Sequence, residues 1–189
     1  MQRIVVFASG NGSNAEKIIL HFQNSKKSNV VAVFSNNVQA KVLNMAQSHG
    51  VATFVFTKEE LNEGVVLDQL NAIQPELIVL AGFLWKFPES IIKDYPNKVI
   101  NVHPALLPKY GGKGMYGRFV HEAVLKNKEL ETGITIHYVN EHYDEGEFIF
   151  QKGVSIEDCA TADEVAAKVH ALEHEYFPQV IEQLLNSKE

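Results

Sequence analysis

The feature that most constrains the fold is a regular alternation between short apolar segments and longer segments with helical spacing. Apolar segments lie at residues 3–8, 30–34, 53–56, 77–81 and 99–103. Helical spacing follows the first of them to about residue 27, and it returns at residues 41–49 and 58–73. Strands that are apolar on both faces and alternate with helices are typical of a parallel sheet covered by helices. The sequence therefore predicts a doubly wound α/β fold.

The last third of the chain predicts antiparallel additions to that sheet. Residues 132–139 have the alternation of a strand, and residues 147–156 would be its antiparallel partner. Thr161-Ala-Asp-Glu164 is a capping box that opens a final helix, which Pro178 is expected to kink or interrupt. Between these parts, a mobile glycine-rich loop at 111–114 precedes a predicted helix at 115–128. The whole prediction is a mostly parallel sheet with antiparallel C-terminal strands and a final helix, in a single domain of residues 1–189.

Composition excludes several classes of function. The 189 residues are 46% apolar, which suits one domain and is too little chain for two of ordinary size. With 17 basic and 23 acidic residues the net charge is −6, so no protein-wide positive field favours nucleic acid or an anionic membrane. The longest apolar run, residues 77–85, is far shorter than the roughly 18 residues of a membrane span. The chain has one cysteine, Cys159, which suits a reducing compartment, and we predict a cytoplasmic protein.

The first candidate site is the polar turn Ser9-Gly-Asn-Gly-Ser-Asn14, between the first strand and the first helix. Backbone N–H groups and the helix dipole favour an anion at this position, and glycines allow a phosphate to approach the backbone closely. The pattern matches neither G-x-G-x-x-G nor the P-loop motif. Ser13 or Asn14 as a simple N-cap of the helix is the alternative interpretation.

The second candidate site combines Asn101, His103 and Asp144. Asn101 and His103 are two residues apart at the end of a buried strand, so they share a face. An acidic loop at 140–146 follows a second strand and is expected to bring Asp144 to the histidine. A carboxylate stabilises a protonated imidazole and an asparagine amide donates to an oxyanion. With no G-x-S-x-G motif, the set indicates acyl transfer without a covalent intermediate, and the alternative is a hydrogen-bonded core histidine beside a turn asparagine.

A third pattern raises the question of a metal. His170, Glu173 and His174 form H-x-x-E-H on the predicted final helix, the order found in inverted zincins. Tyr176, Phe177 and Pro178 follow at once and no third ligand is placed, so the prediction is that the protein holds no metal.

Several blocks in order identify a resemblance: Ser9-Gly-Asn-Gly-Ser-Asn14, Val79-Leu-Ala-Gly-Phe83, Asn101-Val-His-Pro-Ala-Leu-Leu-Pro-Lys-Tyr110, Thr132-Gly-Ile-Thr-Ile-His-Tyr-Val139, Asp144-Glu-Gly146 and Glu173-His174. Together they resemble the folate-dependent phosphoribosylglycinamide formyltransferases of purine synthesis, in the formyltransferase superfamily. The His-Pro-Ala-Leu-Leu-Pro block is similar to one shared across that superfamily, whereas the Gly-Asn-Gly-Ser-Asn loop is typical of the enzymes that use glycinamide ribonucleotide. The resemblance runs from residue 3 to about residue 178, and it implies a Rossmann-like formyltransferase fold.

The resemblance also implies a role for individual residues. By position, Asn101, His103 and Asp144 match the catalytic residues. The ribonucleotide contacts would be Gly12, Ser13, Asn14, His170 and Glu173. The folate contacts would be Leu84, Trp85, Lys86, Phe87, Asn101, Asn140, Glu141, His142, Tyr143 and Asp144. Trp85 stands where well-known members have an arginine, His170 where they often have glutamine, and the loop at 111–117 is longer than usual.

The implied reaction is formyl transfer from 10-formyltetrahydrofolate, as co-substrate, to the amine of glycinamide ribonucleotide. The alternatives are another formyltransferase or a formyltetrahydrofolate hydrolase with the same three residues and, from a different class, a non-catalytic nucleotide-binding module. The partners are expected to be small molecules, with no nucleic acid and no membrane, and the protein is expected to be a monomer or a weak homodimer.

Overall fold

The computed structural model describes residues 1–187, which form seven strands and seven helices. In chain order these are β1 (Gln2–Phe7), α1 (Ser13–Phe22), β2 (Ser28–Ser35), α2 (Lys41–Ser48), β3 (Ala52–Val55), α3 (Lys58–Asn62), α4 (Val65–Ile73), β4 (Leu77–Leu80), α5 (Glu89–Asp94), β5 (Val99–His103), α6 (Arg118–Lys126), β6 (Glu131–Tyr138), β7 (Phe148–Ser155) and α7 (Ala162–Asn186).

The strands form one sheet in the order β3-β2-β1-β4-β5-β6-β7. The first five strands of the chain pair in parallel, and β6 and β7 are added in antiparallel orientation. The predicted fold class is therefore confirmed. After β3 the chain returns to place β4 on the other side of β1, so the order of the strands reverses between β1 and β4. Ligands of open α/β sheets bind at the carboxyl ends of the strands beside such a reversal.

The central strands are buried on both faces of the sheet, which explains their nearly continuous apolar character. Along β1, Ile4 and Val6 belong to a core cluster that also contains residues of α1, α2 and α7. Val5 and Phe7 belong to a second cluster with residues of α4 and α5. These four side chains of β1 are fully buried.

Three helical predictions differ from the structure. The helix expected at 58–73 is two helices, because the chain turns at Gly64, which has φ +97° and directly precedes α4. The helix expected to begin at residue 115 begins at Arg118, after Gly117 with φ +51°. Helix α5 was not predicted, since its six residues are too short to display helical periodicity.

The final helix begins as predicted and does not end at its proline. The Thr161 hydroxyl accepts from the Glu164 N–H, and the Glu164 carboxylate accepts from the Thr161 N–H. The expected interruption at Pro178 is wrong, because α7 continues through this buried proline to Asn186. Phe177 and Ile181 beside it are fully buried, so tertiary packing outweighs the lost backbone hydrogen bond. Within residues 1–187, no helix is both long enough and apolar enough to cross a membrane.

Candidate active site

A cleft of about 750 Å³ opens at the carboxyl ends of β1, β4 and β5. Its walls are the first loop (residues 10–14), residues 80–87 after β4, the end of β5, the glycine-rich loop and the loop after β6. One side of α7 contributes Ala162, Ala166, His170 and Glu173. All three motifs of the sequence thus lie around one cavity, whose volume is ordinary for a small-molecule site.

The C-terminal end of β5 and the loop after β6 bring Asn101, His103 and Asp144 together. Asn101 and His103 are directly opposite His137 and Thr135 of β6, so their side chains share one face of the sheet. Asp144 follows β6 with φ +57° and places its Oδ1 atom 3.5 Å from His103 Nδ1. The geometry predicted for these three residues is therefore present in the structure.

His103 is buried and held at both ring nitrogens. Its Nε2–H donates to the carbonyl oxygen of Tyr110 at 2.7 Å, while Nδ1 faces Asp144. Burial lowers the pKa of His103, and the Asp144 carboxylate only partly offsets this by raising it. The ring is therefore neutral near pH 7, and since Nε2 carries its hydrogen, Nδ1 has the free lone pair.

The carboxylate of Asp144 is fixed by the glycine-rich loop. The Gly112 N–H donates to Asp144 Oδ2 at 2.9 Å. A side chain at Gly111 would not fit, because its Cβ would lie 2.5 Å from Leu107 Cδ2 and 3.3 Å from Asp144 Cβ. Burial alone would raise the pKa of Asp144, but its polar contacts, among them the hydrogen bond from the Gly112 N–H, lower it below its usual value. Asp144 is thus a stable negative charge beside a neutral histidine.

His137 is a fourth polar residue of this cluster that the sequence analysis missed. Its Nδ1–H donates to the Tyr138 carbonyl at 2.8 Å, which leaves Nε2 as the acceptor. Nε2 is 3.3 Å from Asn101 Nδ2 and 3.6 Å from Asp144 Oδ1. His137 therefore orients the amide of Asn101. The signal that could have found it is the register of β5 against β6, which pairs Asn101 with His137.

The first loop has the geometry of an anion site. Gly12 precedes α1 with φ +79°, and a Cβ there would lie 2.4 Å from Val42 Cγ2, so only glycine fits. Ser13 is exposed at the N-terminus of α1, where the first N–H groups of a helix lack backbone partners. No side chain caps α1, so the N-cap interpretation of Ser13 and Asn14 is wrong. Asn14 instead donates from Nδ2 to Glu173 Oε2 at 2.8 Å.

Glu173 connects this loop to the final helix. It is buried, and its Oε2 atom also pairs with His170 Nδ1 at 2.9 Å. The hydrogen bond to Glu173 raises the pKa of the partly exposed His170. The ribonucleotide residues predicted from the resemblance therefore lie together on one side of the cleft.

No group of three or more His, Cys, Asp or Glu residues in the described range 1–187 is arranged to hold a metal ion.

The predicted folate residues form two other walls of the cleft, with one exception. Leu84, Trp85, Lys86 and Phe87 line one wall, and Asn140, His142, Tyr143 and Asp144 line another. Glu141 does not line the cleft and lies beside His142 instead.

Aromatic packing shapes the first of these walls. Trp85 packs edge-on against Phe56 and Phe83, with ring centroids 6.3 and 6.5 Å apart. Phe87 is buried against Phe7 at 5.1 Å. Trp85 therefore places an aromatic ring in this wall at the position of the expected arginine.

The fold and the site define a class, and comparison with known proteins agrees with it. Residues 2–181 match the formyl transferase family, and the chain belongs to that family. The phosphoribosylglycinamide formyltransferase of Bacillus subtilis (strain 168) is 34% identical over 98% of this chain and 95% of its own. The enzyme of the same name from Escherichia coli (strain K12) is also 34% identical, over 94% of this chain and 84% of its own. The crystal structure of phosphoribosylglycinamide formyltransferase from Anaplasma phagocytophilum superposes with a TM-score of 0.90 at 33% identity, covering 99% of this chain and 88% of that one. The predicted resemblance is confirmed.

Proposed function

We propose that this protein transfers a formyl group from 10-formyltetrahydrofolate to the amine of glycinamide ribonucleotide; its relatives' names give the formyl transfer and the acceptor. The observation that carries the proposal is the convergence of Asn101, His103 and Asp144 in one cleft with the anion-binding turn at Gly12. Catalysis then needs neither a covalent intermediate on the protein nor a metal.

The reaction begins when the amine nitrogen attacks the formyl carbon and a tetrahedral oxyanion forms. Asn101 keeps one N–H on His137 and donates the other to the oxyanion. His103 is neutral, and its Nδ1 accepts the proton that the attacking amine loses. Asp144 stabilises the imidazolium, the bond from carbon to N10 breaks, and His103 returns the proton to N10. The products are the formylated ribonucleotide and tetrahydrofolate.

The two substrates take different walls of the cleft in this proposal. The phosphate lies on the N–H groups around Gly12, Ser13 and Asn14, and the ribose lies near His170 and Glu173. The folate lies between the wall at 84–87 and the loop at 140–144. Glu141 then contributes to the loop without touching the folate, since it lies outside the cleft.

The test is a transfer assay with purified protein, 10-formyltetrahydrofolate and glycinamide ribonucleotide, analysed by mass spectrometry. The expected result is one formylated ribonucleotide for each tetrahydrofolate released, with little release when the ribonucleotide is omitted. Release of formate at the same rate without the ribonucleotide would identify a hydrolase. Binding of both substrates with no turnover would identify a nucleotide-binding module. Either result would refute the proposal.

We further propose that residues 1–189 act as one formyltransferase domain in the cytoplasm, on small molecules only, as a monomer or a weak homodimer. The net charge of −6 supports small anionic substrates over nucleic acid, because an anion as small as a phosphate is bound by local N–H groups without an extended positive surface. The single cysteine supports a reducing compartment.

A further inference from the structure

A buried histidine of the cleft has no role in the mechanism above. His121 lies in α6, is 3% exposed and lines the cleft. Its Nδ1 atom is buried without a hydrogen-bond partner among residues 1–187. A buried polar group without a partner costs stability, so its presence beside a substrate cavity suggests a partner that arrives with the substrate.

Titratable groups near His121 affect its protonation. Burial lowers the pKa of His121, His170 and His103 lower it further, and Glu173 raises it. The ring is therefore neutral near pH 7 and offers both a hydrogen-bond donor and an acceptor. It lines the same cleft as His170 and Glu173, the residues assigned to the ribose, and as His103.

The acceptor is proposed to bind in the same cleft that His121 lines. With its phosphate at Gly12 and its amine at His103, the amide linkage between ribose and amine lies between those two ends. An amide presents one N–H donor and one carbonyl acceptor, which a neutral imidazole can match. Given the proposed function, on which this step rests, we infer that His121 binds the amide linkage of the acceptor substrate and so contributes to the choice of acceptor.

The test compares two probes, one with the glycinamide group that contains this amide and one without that group. Isothermal titration calorimetry measures the Kd of glycinamide ribonucleotide and of ribose 5-phosphate, which lacks the amide, for wild type and for His121→Phe. Phenylalanine keeps an aromatic ring, somewhat larger than imidazole, and removes both nitrogens. We expect the Kd of the ribonucleotide to rise about 5- to 10-fold, the effect of one hydrogen bond, and the Kd of ribose 5-phosphate to stay within twofold. Turnover at saturating substrate should be nearly unchanged while KM for the ribonucleotide rises.

Two controls separate a substrate contact from a structural effect. His49→Phe removes a histidine that lies outside the cleft, 3.9 Å from Glu16, and should change neither Kd. His121→Asn restores a hydrogen-bond donor and an acceptor, so it should bind the ribonucleotide more tightly than His121→Phe does. If the phenylalanine variant folds poorly, the asparagine variant still tests the contact.

Equal weakening of both probes by His121→Phe, or no weakening of either, would overturn the inference. Failure of the proposed function would look different, because wild type would then transfer no formyl group to the ribonucleotide, whatever the effect of His121→Phe on binding.

Discussion

At the scale of single residues, the site depends on which atom each histidine presents to Asp144. Tyr110 fixes Nε2 of His103, and Tyr138 fixes Nδ1 of His137, both through backbone carbonyls. The two rings therefore turn their remaining nitrogens toward the same carboxylate. In the proposed mechanism His103 accepts the proton and His137 orients Asn101.

Replacing Asn101 tests the oxyanion contact. Asn101→Ala should lower kcat about 10²–10³-fold, the usual cost of losing one oxyanion donor, with the fold intact. Steady-state kinetics and circular dichroism measure the two effects. Asn44→Ala, on the exposed side of α2, is the matched control and should behave as wild type. Near-normal turnover of Asn101→Ala would remove this residue from the mechanism.

Replacing Asp144 tests the electrostatics of His103. The carboxylate raises the pKa of His103, so its loss in Asp144→Asn lowers that pKa further. In the proposed mechanism neutral His103 accepts the proton, so kcat/KM should fall as the pH drops through its pKa. The acidic limb of the pH profile should move to lower pH in Asp144→Asn, together with a large loss of rate because the imidazolium is no longer stabilised. An acidic limb at the wild-type position would show that Asp144 does not act on His103.

Asn101, His103 and Asp144 could be predicted from the sequence, whereas His137 and the Tyr110 carbonyl could not. The first three follow from strand alternation and an acidic loop, which are local patterns. His137 depends on the register between β5 and β6, and Tyr110 on the path of the chain after β5. Long-range geometry of this kind leaves no mark in the spacing of residues.

At the scale of elements, β6 supports the segment that carries Tyr110. The Thr135 hydroxyl accepts from the Leu107 N–H at 3.0 Å and donates to the Ala105 carbonyl at 2.7 Å. Gln151 of β7 donates to the Leu107 carbonyl and to Thr135, each at 2.9 Å. The antiparallel strands therefore hold the loop that fixes His103.

Removing the Thr135 hydroxyl tests this support. Thr135→Val leaves the buried Leu107 N–H unsatisfied and should lower the free energy of unfolding by about 1–3 kcal/mol, measured by urea denaturation. Thr135→Ser keeps the hydroxyl and should lose much less. Thr53→Val removes the more exposed bond to Gln47 and should have little effect. Equal stability of the valine and serine variants would contradict the role of the hydroxyl.

The turn before α1 makes a second prediction at this scale. Gly12→Ala forces a Cβ against Val42 and strains a residue at φ +79°, so we expect KM for the ribonucleotide to rise about tenfold or more. Gly10→Ala is the matched control in the same turn, because nothing lies within 4 Å of its Cβ position. If the two variants gave the same KM, the phosphate would not depend on this backbone.

Strands were easier to predict than helices for a physical reason. A strand buried on both faces appears as an apolar run, as residues 77–80 do. Helix boundaries depend instead on single backbone positions such as Gly64 and Gly117, whose positive φ follows from tertiary context. The continuity of α7 through Pro178 has the same origin, since packing on the sheet outweighs a local preference.

At the scale of the whole molecule, the sheet topology gathers distant parts of the chain. The reversal between β1 and β4 places residues 10–14 and 80–87 at one edge, and the antiparallel β6 and β7 bring Asp144 to β5. Helix α7 supplies Glu173, whose bond to Asn14 joins the two ends of the chain across the site. Both proposed substrates are anionic and the net charge is −6, so recognition must be local.

The central claim is direct transfer of the formyl carbon to the amine of the ribonucleotide. ¹³C NMR with 10-[¹³C]formyltetrahydrofolate follows that carbon in wild type and in the doubly substituted Asn101→Ala, His103→Ala protein. The account predicts that the label moves to the amine of glycinamide ribonucleotide at the rate of tetrahydrofolate release in wild type, and almost not at all in the variant. Label appearing in formate, or equal transfer by the variant, would contradict it.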